Sequence, residues 1–204
     1  MKSFVLSLTF FVMAIGASAQ ESVTLLTFGG YTFADRFQSY YGYGKIQGDF
    51  QWGAGLEFEL RPFTALEIYY QRMDPDAYYD GDFNKRFNGK IGINYIMLGG
   101  TQYKPFNDVV SGFGSFDMGV AFTSNISESL DASNVTRFAL GGRLGLRIAP
   151  GDKVSMRIHA QLLSPVQWFG AGFYFGTGGG GTSVSTGSTV FQFNLGGSIN
   201  YRLR

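Results

Sequence analysis

The stretch FQWGAGLEFELRPFTALEIYY (Phe50–Tyr70) alternates from end to end and turns on a proline. Phe50, Trp52, Ala54, Leu56, Phe58 and Leu60 share one side of an extended chain, and Gln51, Gly53, Gly55, Glu57, Glu59 and Arg61 share the other. Successive side chains of a strand point to opposite faces, so this pattern predicts a strand with one apolar and one polar, charged face. Past Pro62 the alternation resumes, with Leu66, Ile68 and Tyr70 opposing Glu67, Tyr69 and Gln71. The same kind of turn recurs in TQYKPFNDVV and LRIAPGDKVSMRI, with Pro62, Pro105 and Pro150 spaced 43 and 45 residues apart. Proline suits a turn because it lacks the N–H that a strand ladder needs.

Working outward, six further strands follow. The sixth sets Phe138, Leu140, Leu144, Leu146 and Ile148 against Arg137, Arg143 and Arg147. The seventh sets Val154, Met156, Ile158, Ala160 and Leu162 against Ser155, Arg157, His159 and Gln161. The last sets Phe191, Phe193, Leu195, Ile199, Tyr201 and Leu203 against Gln192, Asn194, Ser198, Asn200 and Arg202. In the fourth (about 89–103), Ile91, Ile93, Tyr95 and Met97 face one way, as do Phe116, Met118, Val120 and Phe122 in the fifth (about 111–124). Ile96, Leu98 and Phe113 fall on the other side, which leaves a bulge or a partly apolar interior open. The first strand, around Val23–Phe33, carries apolar residues on both parities, and its faces cannot be assigned by alternation.

The connections alternate in length. Strands 2–3, 4–5 and 6–7 are joined by about five residues with a proline; the other connections run to roughly 10–25 residues rich in Gly, Ser, Asn, Asp and Tyr. The proline interval is therefore two strands plus one long loop. The expected fold is all-β: an eight-stranded antiparallel up-and-down transmembrane β-barrel with short periplasmic turns and long extracellular loops.

Composition decides which way round the barrel is. Charged residues are only 15%, while the chain holds 21 Phe, 12 Tyr and 30 Gly. A soluble barrel would have to pack Phe50, Trp52, Phe58, Phe138, Phe191 and Phe193 inside eight strands, which enclose a space only just wide enough for side chains. A lipid-embedded barrel turns that face outward and places Glu57, Glu59, Arg143, Arg147 and Arg157 within. Ten residues at about 3.3 Å, tilted near 40°, span about 25 Å, the height of the apolar band. Residues 1–19 read as a cleaved signal peptide: Lys2, the apolar run Phe4–Ala17, then Ala17-Ser18-Ala19, leaving residues 20–204 as the barrel domain. Without Lys2 the basic and acidic residues balance, so no nucleic-acid partner is indicated, and with no cysteine there is no disulfide or lipid-modified thiol.

The leader, the alternating strands, the unequal connections and the closing FQFNLGGSINYRL resemble the small outer-membrane β-barrel family of Gram-negative bacteria, the group of the OmpA barrel, OmpX and opacity-type proteins. Family members usually end on an aromatic residue, whereas this chain ends Leu203-Arg204 with Ile199 and Tyr201 keeping the outward pattern. The resemblance implies a bacterial outer-membrane location, contact with outer-membrane lipid and lipopolysaccharide, and the barrel-assembly machinery as a partner during insertion.

In a ring of eight, strands 2 and 3 lie opposite strands 6 and 7. Glu57, Glu59 and Glu67 then face Arg143, Arg147 and Arg157 across the lumen, with Arg202 nearby. This predicts a salt-bridged plug; a hydrated interior with loose ion pairs is the competing arrangement. Trp52, Phe63, Phe106, Trp168, Phe169, Tyr174 and Tyr201 are the candidates for aromatic girdles at the two membrane faces, with a lid as the alternative for those of the 164–188 loop.

Other features carry less. His159 is the only histidine and faces inward without a second His or any Cys, as interior filler does. Asp74, Asp76, Asp80 and Asp82 lack the glycine and terminal glutamate of a calcium loop, and Gly178–Gly181 is followed by no Lys-Ser/Thr. No catalytic group, metal site or cofactor is expected. The expected role is a non-enzymatic structural, surface-contact or accessory subunit of the membrane. The alternatives are a narrow pore or lateral transporter for a small ion or hydrophobic molecule, and a lipid-modifying barrel enzyme.

Overall fold

A computed structural model of the chain describes residues 22–39, 42–81, 86–125, 136–165, 172–173, 182–183 and 191–203. The signal-peptide reading of residues 1–19 lies outside them. The strands in chain order are β1 (Val23–Thr32), β2 (Asp35–Ser39), β3 (Gly42–Ile46), β4 (Asp49–Arg61), β5 (Thr64–Met73), β6 (Asp76–Gly81) and β7 (Arg86–Pro105). They continue as β8 (Val110–Asn125), β9 (Thr136–Ile148), β10 (Val154–Pro165), β11 (Gly172–Phe173), β12 (Thr182–Ser183) and β13 (Gln192–Arg202). Eight of them, β1, β4, β5, β7, β8, β9, β10 and β13, pair antiparallel with their neighbours, and β13 closes onto β1.

The register fixes the barrel's geometry. From Thr136 the ladder steps across Phe122, Asn94, Arg72, Trp52, Gly29, Gly197 and Ile158 and returns to β9 at Leu146, ten residues from its start. Closing eight strands with that stagger tilts them by about 40° and leaves a lumen that side chains fill.

Between β4 and β5 the chain turns over Pro62 and Phe63, and Phe63 adopts φ 67°. A proline followed by a residue of positive φ fits a type II turn, a place usually given to glycine. The Phe63 ring, 52% exposed, stands at the turn end of the wall, where an aromatic residue suits the membrane interface.

Above the barrel's other end the wall continues. β5 breaks at Asp74-Pro75, and the upper part of β7 pairs with β6, then β3, then β2. Two of the connections read as loops therefore fold into a four-stranded extension, because their Tyr- and Gly-rich stretches sustain ladders even where alternation is weak.

The outer wall is the apolar face. Phe50, Trp52, Leu60, Ile68, Phe116, Met118, Leu144, Leu146, Ile158, Phe193 and Ile199 are all exposed. One strand reverses its expected orientation. On β7 it is Ile93, Tyr95 and Met97 that point inward and are buried, while Ile96 and Leu98 lie on the outer wall. The cause is the upper lumen, which is packed with apolar side chains: Leu26, Phe28, Tyr69, Met73, Ile93, Met97 and Leu163 form one cluster. β7 is thus apolar on both faces. The same cluster explains β1, whose Leu26 and Phe28 are inward and whose Leu25, Tyr31 and Phe33 are outward.

Inward glycines give the large inward side chains their room. Gly55 pairs with Tyr69 and Gly145 with His159, and a Cβ there would come within 2.5 Å and 2.8 Å of the partner's Cβ. At Gly99 an added Cβ would fall on the Asp117 carboxylate, 3.3 Å from Arg143 Nη2. At its outward neighbour Gly100 it would meet nothing within 4 Å. Gly99→Ala is therefore expected to cost about 1–3 kcal/mol, and Gly100→Ala to stay within about 0.5 kcal/mol. Urea unfolding of both variants in detergent micelles checks this; equal midpoints would count against the packing described.

Candidate functional site: the charged lumen

Five ionised side chains from five strands form one chain across the lumen: Glu57 (β4), Arg157 (β10), Glu67 (β5), Arg143 (β9) and Asp117 (β8). Arg157 Nη1 donates to Glu67 Oε1 at 2.9 Å, and its Nη2 donates to Glu57 Oε2 and to the Tyr103 hydroxyl. Arg143 Nη2 lies 2.9 Å from Glu67 Oε2. Its Nε and Nη2 also clasp Asp117 Oδ2 and Oδ1 at 3.2 Å and 2.9 Å, the two-pronged geometry that suits guanidinium and carboxylate. Glu67 and Asp117 are 0% exposed, Arg143 1% and Arg157 2%. Acid and base alternate along the whole chain, so each buried charge has an opposite neighbour. That is the condition for holding ions away from water.

Neutral donors complete the shell. Tyr103 donates to Glu57 Oε2 at 2.5 Å, Thr101 to Glu67 Oε1 at 2.6 Å, and Ser115 to Asp117 Oδ2 at 3.2 Å. Aromatic rings cover the guanidinium planes. Arg143 lies 4.5 Å from the Tyr69 centroid and 5.7 Å from Phe28, and Arg157 lies 5.3 Å from both Tyr103 and Phe113. Such contacts add electrostatic attraction where water is excluded.

Three carboxylates against two guanidiniums leave the chain one positive charge short. Arg147 stands nearest to supplying it: half-buried, its guanidinium 5.1 Å from the Tyr103 ring, it forms no ion pair among the described residues. Glu59 and Arg202 meet at 3.5 Å in a part-exposed pair at the turn end, with Ser22 donating to Glu59 at 2.8 Å. Of the seven residues predicted for the cluster, Glu57, Glu67, Arg143 and Arg157 are thus brought together in the middle. Glu59 with Arg202, and Arg147, stand apart from that chain. Asp117, which sequence reasoning passed over, is a full member; its position between Phe116 and Met118 put it on the inward face. Tyr103 and Thr101 were missed for the same reason as β7's orientation.

Above the charged chain a second crossing layer is made of amides. Gln161 (β10) donates across the lumen to Gln71 (β5) at 3.0 Å, and Tyr95 (β7) donates to Gln192 (β13) at 2.7 Å. Asn194 donates to Thr32, and Thr32 to Gln51, both at 3.0 Å, tying the wall on that side. His159 is buried between Phe28 and Phe113, with ring centroids 6.4 Å and 6.3 Å away. Its Nδ1 has no hydrogen-bond partner among the described residues. Among the described residues no group of three or more His, Asp or Glu is arranged to hold a metal ion.

The girdle candidates divide between the two ends. Trp52 is exposed on the outer wall with its ring 6.3 Å from Tyr70, near the exposed Tyr31, Phe33, Phe50 and Phe193. Phe63, Phe106 and Tyr201 are exposed at the turn end. Trp168, Phe169 and Tyr174, like most of the 164–188 loop, lie outside the described residues.

No protein-family model and no curated protein matches the sequence. Solved structures do match the fold. The crystal structure of Neisserial surface protein A superposes with a TM-score of 0.58 at 12% identity, over 88% of this chain and 96% of that one. The outer membrane protein OprG of Pseudomonas aeruginosa gives 0.54 at 11% identity, over 88% and 96%. The outer membrane protein AlkL, solved by solid-state NMR in lipid bilayers, gives 0.51 at 12% identity, over 90% of each chain. With its closed ring of eight antiparallel strands, its apolar outer wall and its buried ion pairs, this chain has the fold of the small eight-stranded outer-membrane β-barrels.

Proposed function

We propose that the chain is a non-enzymatic integral protein of the bacterial outer membrane whose lumen is closed, serving as a structural, surface-contact or accessory subunit. The proline turns face the periplasm and the four-stranded extension faces outward. Outer-membrane lipid and lipopolysaccharide surround the wall, and the barrel-assembly machinery inserts it. One observation carries the closed-lumen reading: the Glu57–Arg157–Glu67–Arg143–Asp117 chain links opposite walls through side chains that are almost fully buried. A hydrated ion passing this level would have to break pairs whose members have no water to turn to, at several kcal/mol each.

The test is electrical. Purified protein inserted into a planar lipid bilayer at moderate salt is expected to give no steady single-channel conductance. Reproducible conductance steps would sink the closed lumen and promote the pore reading. Comparing lipid A from cells with and without the gene by mass spectrometry tests the enzymatic reading, and no change in acylation is expected.

A further inference from the structure

On one side of the barrel the outer wall breaks its own rule. At the outward positions of β5, β7 and β8 nearest the extension, apolar residues give way to a contiguous polar cluster of Tyr70, Arg72, Asp74, Asn94 and Ser124. Asn94 is only 2% exposed although it points away from the lumen. Its Oδ1 accepts from the Tyr70 hydroxyl at 2.7 Å, and its Nδ2 donates to the Phe122 carbonyl at 3.2 Å and to Ser124 Oγ at 3.4 Å. Arg72 Nε donates to Asp74 Oδ1 at 2.9 Å. The cluster converges on bare backbone: a Cβ at Gly92 would meet Ser124 Oγ, and would sit 3.2 Å from both Arg72 Nη2 and Asp74 Oδ1. The Trp52 ring flanks it through Tyr70, and Trp52 is the ladder partner of Arg72.

Further toward the turn end on the same three strands the wall is apolar again, with Ile68, Ile96, Leu98, Phe116, Met118 and Val120 all exposed. Polar groups facing hydrocarbon are costly, so the cluster stands at headgroup level and the apolar strip below it at acyl-chain level. We propose that the Arg72–Asn94 cluster with the apolar strip beneath it is a binding site for a phosphorylated glycolipid of the outer leaflet. The guanidinium Nη edge takes the phosphate, oriented by Asp74 at Nε. The Ser124 and Tyr70 hydroxyls, held in place by the buried Asn94 amide, and the Trp52 face suit sugar hydroxyls and a sugar ring. The acyl chains lie along Ile68, Ile96 and Phe116. Asp74 beside the arginine offsets its charge, which disfavours a simple anionic phospholipid and favours a ligand that also offers hydroxyls. This inference rests on the outer-membrane reading.

The full chain carrying Trp168→Phe, so that Trp52 reports alone, is titrated in detergent micelles with bis-phosphorylated lipid A. A saturable change in Trp52 emission is expected. Arg72→Gln should weaken it about tenfold, the loss of one charge-assisted hydrogen bond. Lipid A stripped of phosphate should bind the unsubstituted site about as weakly. Gly92→Ala, which fills the floor without changing charge, should also weaken it while leaving the folded gel mobility unaltered. Equal titrations for Arg72→Gln and the parent, or dilauroyl phosphatidic acid, which has the phosphate but no headgroup alcohol, binding as tightly as lipid A, would overturn the site and leave only a polar rim. Incorporation into lipid vesicles is measured alongside: a chain that fails to incorporate overturns the outer-membrane reading and the site with it, whereas one that incorporates but ignores lipid A overturns the site alone.

Discussion

Replacing Glu67 by glutamine should lower the free energy of unfolding by about 3–5 kcal/mol, far more than neutralising an exposed charge such as Arg61. Glu67 is the shared member of the lumen chain, with Arg157 on one oxygen and Arg143 on the other. Glutamine keeps the shape and can still accept from Thr101, but it leaves both guanidiniums with one carboxylate side each while they stay buried from bulk solvent. A buried charge stripped of a partner keeps its desolvation penalty and loses the attraction that offset it. Arg61→Gln, on an exposed side chain, should stay within about 0.5 kcal/mol. Arg147→Ala belongs between them, because Arg147 stacks on Tyr103 without an ion pair among the described residues and loses packing rather than a salt bridge. Urea titration in detergent micelles, followed by tryptophan emission and by the heat-modifiable shift on gels, reads all three. Should Glu67→Gln and Arg61→Gln unfold at the same midpoint, the lumen is a hydrated space with loosely held ions.

Where the sequence spoke clearly, it did so through contrast between the two faces of a strand. β4, β9, β10 and β13 set aromatic and aliphatic residues against charges and amides, so lipid side and lumen side were legible, and with eight strands in a ring the meeting of Glu57 and Glu67 with Arg143 and Arg157 followed from counting. Contrast disappeared where the lumen itself is apolar. Ile93, Tyr95 and Met97 on β7 and Leu26 and Phe28 on β1 fill the upper interior, so these strands are greasy on both sides and alternation loses its sign. Having β7 reversed hid Tyr103 and Thr101, which reach Glu57 and Glu67 from that strand. The extension was illegible for a different reason. β2, β3 and β6 lie beyond the barrel, where neither face needs to match a bilayer, and their residues are those that loops also use. Asp117 is the instructive case: the pattern put it inside, yet only the fold shows that strand 5 brings it within reach of Arg143 from strand 6.

The outward orientation of the apolar wall carries the second large effect, and adjacent residues on β9 expose it. Arg143 points into the lumen and is buried; Leu144 points the other way and is 72% exposed. In a protein surrounded by water, replacing so exposed a leucine by arginine would change stability by no more than about 0.5 kcal/mol. In a bilayer the same change puts a guanidinium among acyl chains, and Leu144→Arg should cost about 2–4 kcal/mol. The penalty depends on depth, so Leu60→Arg, next to the Pro62 turn where the wall meets headgroups and water, should cost about 0–1 kcal/mol. Equilibrium unfolding from phospholipid vesicles measures both. Two identical costs near zero would mean that Leu144 faces solvent rather than lipid, and the assignment of inside and outside would fall with it. A steep Leu144 cost beside a shallow Leu60 cost is a result only a surrounding hydrocarbon slab produces, because the two leucines differ in height on the wall and not in chemistry.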